Sequence, residues 1–159
     1  MKKDMKNKLK RWFLIVLAIA VLIRVVLFLT YPAVPYSDTA SYRRSANAVL
    51  GGFKAYDGTR TPGYPAFMAL VGPDRALYGV QLLLGLGVTL GWFAIGWKAS
   101  GKPWFGAAAA FAHTLNPGQF FFEANLLTET LCTFLLAVAL FGAFLWLRYP
   151  RFQTFWLGL

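Results

Sequence analysis

Trp12 to Thr30 is a run of 19 residues that is apolar except for Arg24 and Thr30. At about 1.5 Å per residue it reaches roughly 28 Å as a helix, close to the hydrocarbon thickness of about 30 Å. Lys2, Lys3, Lys6, Lys8, Lys10 and Arg11 stand directly before it. Basic residues crowded against the start of an apolar run mark a cytoplasmic flank. Residues 1–11 therefore read as a cytoplasmic N-terminus and residues 12–30 as a first transmembrane helix, in a multi-pass protein of a cell inner membrane. Ala18-Ile19-Ala20 has the letters of a signal-peptide cleavage site, but the run continues through Leu29 and predicts a retained span.

Further apolar blocks follow. Residues 76–97 predict a second span, in which Gly87 and Gly91 form a small-xxx-small pair that would let another helix approach closely. Lys98 and Lys102 return the chain to the cytoplasmic side. Residues 103–122 predict a third span, uneven around Asn116-Pro117-Gly118, and residues 125–147 a fourth, closed by Arg148 and Arg151. A fifth begins within 152–159. The expected fold class is an all-α polytopic membrane bundle with about four complete spans and the start of a fifth. The chain reads as the N-terminal part of something longer, or as a remnant.

Composition agrees. Charged residues make up 14% of the chain, against roughly 25% in a soluble domain. A net charge of +10 would permit nucleic-acid binding. The basic residues cluster at span ends, however, and nucleic acid is not expected as a partner; membrane lipids are. Cys132 is the only cysteine, so no internal disulfide can form. His113 has no second His or Cys at ligand spacing and reads as an ordinary helix histidine.

Between the first two spans lies an outer loop, residues 31–75, with five basic residues (Arg43, Arg44, Lys54, Arg60, Arg75) and three acids (Asp38, Asp57, Asp74). Loops that long tend to carry function. Residues 38–50 predict a short interfacial helix, started by Ser37 or Asp38 as N-cap and stopped by Gly51-Gly52. Asp38 has two readings: a helix cap, or an acid in a membrane-surface cleft beside Arg43 and Arg44, where basic groups hold a phosphate while the carboxylate handles a proton or a metal. Arg60-Thr61-Pro62-Gly63-Tyr64-Pro65 predicts a rigid turn into one or two helical turns, Ala66 to Val71. Arg60 is a candidate anion contact there, and Tyr64 a stacking or hydroxyl group.

Two ionisable residues fall within predicted spans. Arg24 either snorkels to the interface or faces an internal site. Glu129, about one turn inside the fourth span, is a site candidate on the same side of the membrane as Asp38. Glu123 and Asn125 read as rim residues.

Taken together, Asp38 soon after the first span, Arg60 to Pro65, Leu115-Asn116-Pro117 and Leu126 to Glu129 resemble the N-terminal region of polyprenyl-phosphate-sugar-dependent glycosyltransferases of the GT-C superfamily. Protein O-mannosyltransferases and the aminoarabinose transferases that modify lipid A are the nearest in pattern. The resemblance runs from about Trp12 to Leu147. It implies a transferase that takes a sugar from a lipid-linked donor on the extracytoplasmic face and passes it to an acceptor hydroxyl. It also implies that Asp38 is the catalytic acid that activates the acceptor or helps place a divalent metal. Arg60, Tyr64 and Glu129 would line the cleft; Arg43 and Arg44 as donor-phosphate contacts follow from charge alone. Family members have around a dozen spans, and many carry two adjacent acids where this chain has Asp38-Thr39. The 159 residues are accordingly expected to be inactive alone, completed by further C-terminal spans or a partner subunit. The alternatives are a non-catalytic subunit or scaffold, which would tolerate neutral replacement of Asp38 and Glu129, and a fragment of a transporter. A transporter would carry an inverted repeat, and none is visible.

Overall fold

A computed structural model of the chain describes residues 2–148. Among these the protein is all helical apart from one isolated bridge, with α1 Lys2–Thr30, α2 Thr39–Leu50, α3 Gly63–Val71, α4 Asp74–Ser100, α5 Pro103–Thr114, α6 Pro117–Ala124 and α7 Glu129–Arg148. Three helices are long and apolar enough to cross a membrane: Lys3–Thr30, Asp74–Ser100 and Glu129–Arg148. Much of their apolar surface is exposed, including Leu22, Leu29, Leu83, Leu136 and Val138. Side chains of this kind are stable outward only against hydrocarbon or a further apolar partner.

Local chemistry sets the boundaries. In α1 the basic N-terminal block is itself helical, with an exposed Asp4–Lys8 pair one turn apart at 2.9 Å. The helix stops before Pro32, which disfavours helical geometry in the residue preceding it. α4 starts just after Pro73, earlier than expected, and runs to Ser100; Gly101 then reverses the chain at φ 70°. The third expected span is not one helix. Pro117 cannot donate to the preceding turn, and the Asn116 side chain accepts from the Gly118 amide at 2.9 Å to start α6 afresh. α5, at 12 residues, reaches only about 18 Å. α7 begins at Glu129 rather than at 125, so Glu129 is its first residue and not a turn inside. The fifth run, 152–159, lies outside the described residues.

The described residues divide between two units. One draws on residues 2–21, Leu86–Leu115 and residues 132–148. Its core is Val16, Phe93, Ala107 and Ala110, with Leu9, Trp12 and Phe111 packed against them. α4 and α5 approach closely at Gly96 and Gly106, where a Cβ on Gly96 would lie 3.1 Å from the Gly106 Cα and one on Gly106 would collide with the Phe93 carbonyl. Of the expected Gly87–Gly91 pair, Gly87 is closely approached by α7, whose Phe134 ring would lie 3.0 Å from an added Cβ, while nothing comes within 4 Å of a Cβ at Gly91. Thr89 and His113 meet here at 3.0 Å, a helix histidine with a hydroxyl partner.

The other unit draws on Leu22–Gly85 and Asn116–Leu131 and contains every candidate site residue. Tyr42, Tyr64, Met68, Leu77, Tyr78 and Leu126 are among its buried core. The chain after α1 runs extended and forms a parallel bridge between Val34 and Asn125, through Val34 N–H to the Ala124 carbonyl at 3.0 Å and Leu126 N–H to the Val34 carbonyl at 3.2 Å. Arg75 clamps the end of α1, donating to the Phe28 carbonyl with its guanidinium 4.0 Å above the Phe28 ring.

Candidate functional site

The site is built on α2, the loop after it and α3. Thr39 places α2. Its Oγ1 accepts from the Tyr36 amide at 2.9 Å and donates to the Leu126 carbonyl at 3.1 Å, tying the helix start to the segment before α7. Asp38 occupies the N-cap position, but its side chain makes no capping hydrogen bond. The capping reading is thereby removed. The carboxylate turns instead to Arg60, with Nη2 2.6 Å from Oδ1.

Arg60 is held from several sides. Its Nε donates to Ser41 Oγ at 2.9 Å, and that hydroxyl donates to the Asp38 carbonyl at 2.8 Å. Its guanidinium lies 4.8 Å from the centre of the Tyr42 ring, a cation–π distance. Its carbonyl accepts from the Tyr56 hydroxyl. Asp38 raises the Arg60 pKa above its ordinary value, first through the hydrogen bond and then through its charge. The loop between is turned by Asp57, whose carboxylate accepts from the Thr59 amide at 3.0 Å and hydroxyl at 2.8 Å. Those two bonds hold the Asp57 carboxyl below its usual range, with Arg44 adding to the effect.

Tyr64 carries the network inward. It is buried, with its ring edge-on to Tyr42 at 5.0 Å, and its hydroxyl donates to Gln81 Oε1 at 2.8 Å. Burial pushes the Tyr64 hydroxyl up, and the Glu129 carboxylate adds to the push. Tyr64 is therefore a hydrogen-bond donor and not a base at neutral pH. Gln81 is fully buried, and its Nε2 donates to the Asn125 carbonyl at 2.7 Å and the Glu123 carbonyl at 3.0 Å, satisfying the open end of α6. Beyond it, Glu123 Oε1 accepts from Arg24 Nη2 at 2.7 Å and from Gln119 Nε2 at 3.1 Å.

The candidates are thus sorted. Asp38, Arg60 and Tyr64 belong to one chain of contacts, which Glu129 joins through its charge on Tyr64. Glu129 is half-buried, and its Oε2 has no hydrogen-bond partner among the described residues. Arg43 pairs with Asp74 in the first turn of α4 rather than with Asp38, and Arg44 is exposed. Glu123 and Asn125 are not rim residues; both are buried, Glu123 as the counter-charge of Arg24. Thr39, Ser41, Tyr42 and Gln81 are the contributors that sequence reasoning missed. As for a divalent metal near Asp38, the residues present do not form a cage for it. Arg60 engages the carboxylate, and no group of three His, Cys, Asp or Glu among the described residues is placed to hold an ion.

What these elements define is an all-helical protein with three helices able to cross a membrane and a polar, net-basic loop set between the first two. The chain matches no family model, no curated protein and no solved structure.

Proposed function

We propose that this chain is the N-terminal portion of a membrane glycosyltransferase that moves a sugar from a polyprenyl-phosphate-linked donor to an acceptor hydroxyl on the extracytoplasmic face. The observation that carries the reading is the Asp38–Arg60 pair. A carboxylate and a guanidinium at 2.6 Å, both partly open to solvent, sit between α1 and α4. Solvent screening leaves a pair so placed little to contribute to stability, which makes a chemical role the better account of two charges positioned by Ser41 and Tyr42. The resemblance of Asp38, the Arg60–Pro65 segment, Leu115 to Pro117 and Leu126 to Glu129 to the GT-C pattern supports the same reading.

In this reading the donor phosphate meets Arg60, whose planar guanidinium suits bidentate contact with phosphate oxygens. That contact frees the Asp38 carboxylate. The acceptor oxygen then forms its bond to the anomeric carbon, its proton passes to Asp38, and the polyprenyl phosphate leaves with the electron pair of the broken bond. Tyr64 holds the Tyr42 ring in place beneath Arg60, and Arg43 and Arg44 add positive charge at headgroup depth. Segment 103–122 supplies a fourth, broken crossing, and the basic N-terminus stays in the cytoplasm beneath the inner membrane.

Membranes from cells producing the protein in its natural length test the reading. Asp38→Asn abolishes transfer of labelled sugar while the protein's abundance is unchanged; full transfer by Asp38→Asn would refute it. A second reading, a non-catalytic scaffold, draws on the mutual pairing of Arg24 and Glu123, which engages an intramembrane charge in packing alone. That reading predicts that Asp38→Asn and Glu129→Gln are both silent. The same pairing weighs against a transporter, in which Arg24 would line a path.

A further inference from the structure

A separate feature lies in the unit that contains neither Asp38 nor Arg60. Between the N-terminal part of α1 and the C-terminal part of α4 runs a groove of about 360 Å³. Its walls are apolar, formed chiefly by Phe13, Leu90, Phe93 and Trp97, with Phe13 and Phe93 in edge contact at 5.7 Å. Two lysines of α1, Lys6 and Lys10, line one end, and they are one helical turn apart on the same face. Lys8, on another face, is paired with Asp4. Neither Lys6 nor Lys10 has a carboxylate partner among the described residues.

The groove therefore joins a hydrocarbon-lined slot to a pair of uncompensated ammonium groups, at the level where α1 changes from basic to apolar sequence. Trp97 lies at the same level, with the Lys98 ammonium 5.5 Å from its ring, as at a membrane–water interface. A soluble anion would leave the apolar walls uncovered. An uncharged lipid would leave the lysines unanswered. We infer that the groove is a binding site for an anionic phospholipid, with an acyl chain along Phe13, Leu90 and Phe93 and the headgroup phosphate between Lys6 and Lys10. Basic pockets between membrane helices take headgroups of this charge, and the occupant completes the surface that α1 and α4 leave open.

Native mass spectrometry of the purified protein tests this, with phosphatidylglycerol and phosphatidylcholine of identical acyl chains supplied in excess. The wild type retains phosphatidylglycerol preferentially at one site. Each lysine beside an anionic headgroup is worth on the order of fivefold, so Lys6→Gln/Lys10→Gln lowers retention by roughly twenty-five-fold. Lys6→Arg/Lys10→Arg keeps it, which separates loss of charge from loss of fold. Ala94→Trp, filling the groove wall while leaving both lysines, removes retention as well. Equal retention of the two lipids would overturn the inference, as would retention unchanged by the glutamine pair or by Ala94→Trp. A mass corresponding to two copies with the groove closed to lipid would also overturn it, and would assign the groove to self-association.

Discussion

Arg24 and Glu123 stand 99 positions apart in the chain and meet at 2.7 Å, with the arginine side chain 5% exposed and the glutamate fully buried. A charge within a membrane-crossing helix is stable only with a partner or a route to water. Here the partner is supplied by the short helix after the Asn116-Pro117 break. Breaking a buried pair on one side leaves the other charge uncompensated, which costs about 3–5 kcal/mol, whereas removing both is often nearly neutral. Arg24→Met and Glu123→Leu singly are therefore expected to lower stability by about that amount, and the double variant to recover most of the loss. Thermal unfolding in detergent measures all three.

Gly85 makes the pair possible. A Cβ at this position would collide with Glu123 Oε1 and approach the Arg24 guanidinium to 3.0 Å. Gly85→Ala forces the carboxylate away from its partner and is expected to destabilise by about 1–3 kcal/mol, the usual range for overpacking. Gly91→Ala is the control, with nothing within 4 Å of the added methyl. It should be neutral, or stabilising by the helix preference of alanine over glycine. The same unfolding measurement compares them.

Gln81 answers four groups at once: the Tyr64 hydroxyl and the carbonyls of Phe122, Glu123 and Asn125. Tyr64→Phe removes one hydrogen bond and should cost about 1 kcal/mol. Gln81→Leu strands buried carbonyls as well and should cost about 2–4 kcal/mol. Amide hydrogen exchange around residues 117–127 should rise in Gln81→Leu and change little in Tyr64→Phe.

The loop has a pH dependence of its own. The Asp57 carboxyl is lowered from 3.8 by its bonds to the Thr59 amide and hydroxyl. A folded pKa below the unfolded one gives stability that is full above the unfolded value and lost as pH falls through the folded value. Order in residues 56–60 should thus persist at pH 5 and fade below about pH 3.8. A spin label at Lys54 reads this as increased mobility on acidification. Asp57→Asn should shift the acid transition or remove it.

Much of the local architecture was legible because local chemistry writes it. Gly51-Gly52 ends α2, and the Arg60–Pro65 segment turns the chain into α3, although the helix starts at Gly63 rather than Ala66; Asn116-Pro117 read only as unevenness within one span and proves to divide it. The pairings were not legible, because helical periodicity carries no information about which distant side chains meet. Arg43 was expected beside Asp38, yet Asp74 takes it and Arg60 takes Asp38. Asp38 was readable as a cap because its position is a capping one; Thr39, with a second partner at the Leu126 carbonyl, anchors the helix start instead. Glu123 could have been found by asking which of the six acids matches Arg24 in membrane depth. Gln81, an amide inside an apolar span, was the signal for a buried network.

In the proposed function, Arg60 and Asp38 form the head of a site for a polyprenyl-phosphate-linked sugar. Binding of a labelled donor of this class to the protein in nanodiscs of uncharged lipid tests it most directly. Saturable binding is expected, competed by polyprenyl phosphate and not by free polyprenol. Arg60→Ala should weaken it about tenfold or more, the loss of one charge-assisted phosphate contact, while Lys6→Gln/Lys10→Gln leaves it unchanged. Binding that ignores the phosphate, or that survives Arg60→Ala at full strength, would contradict the account.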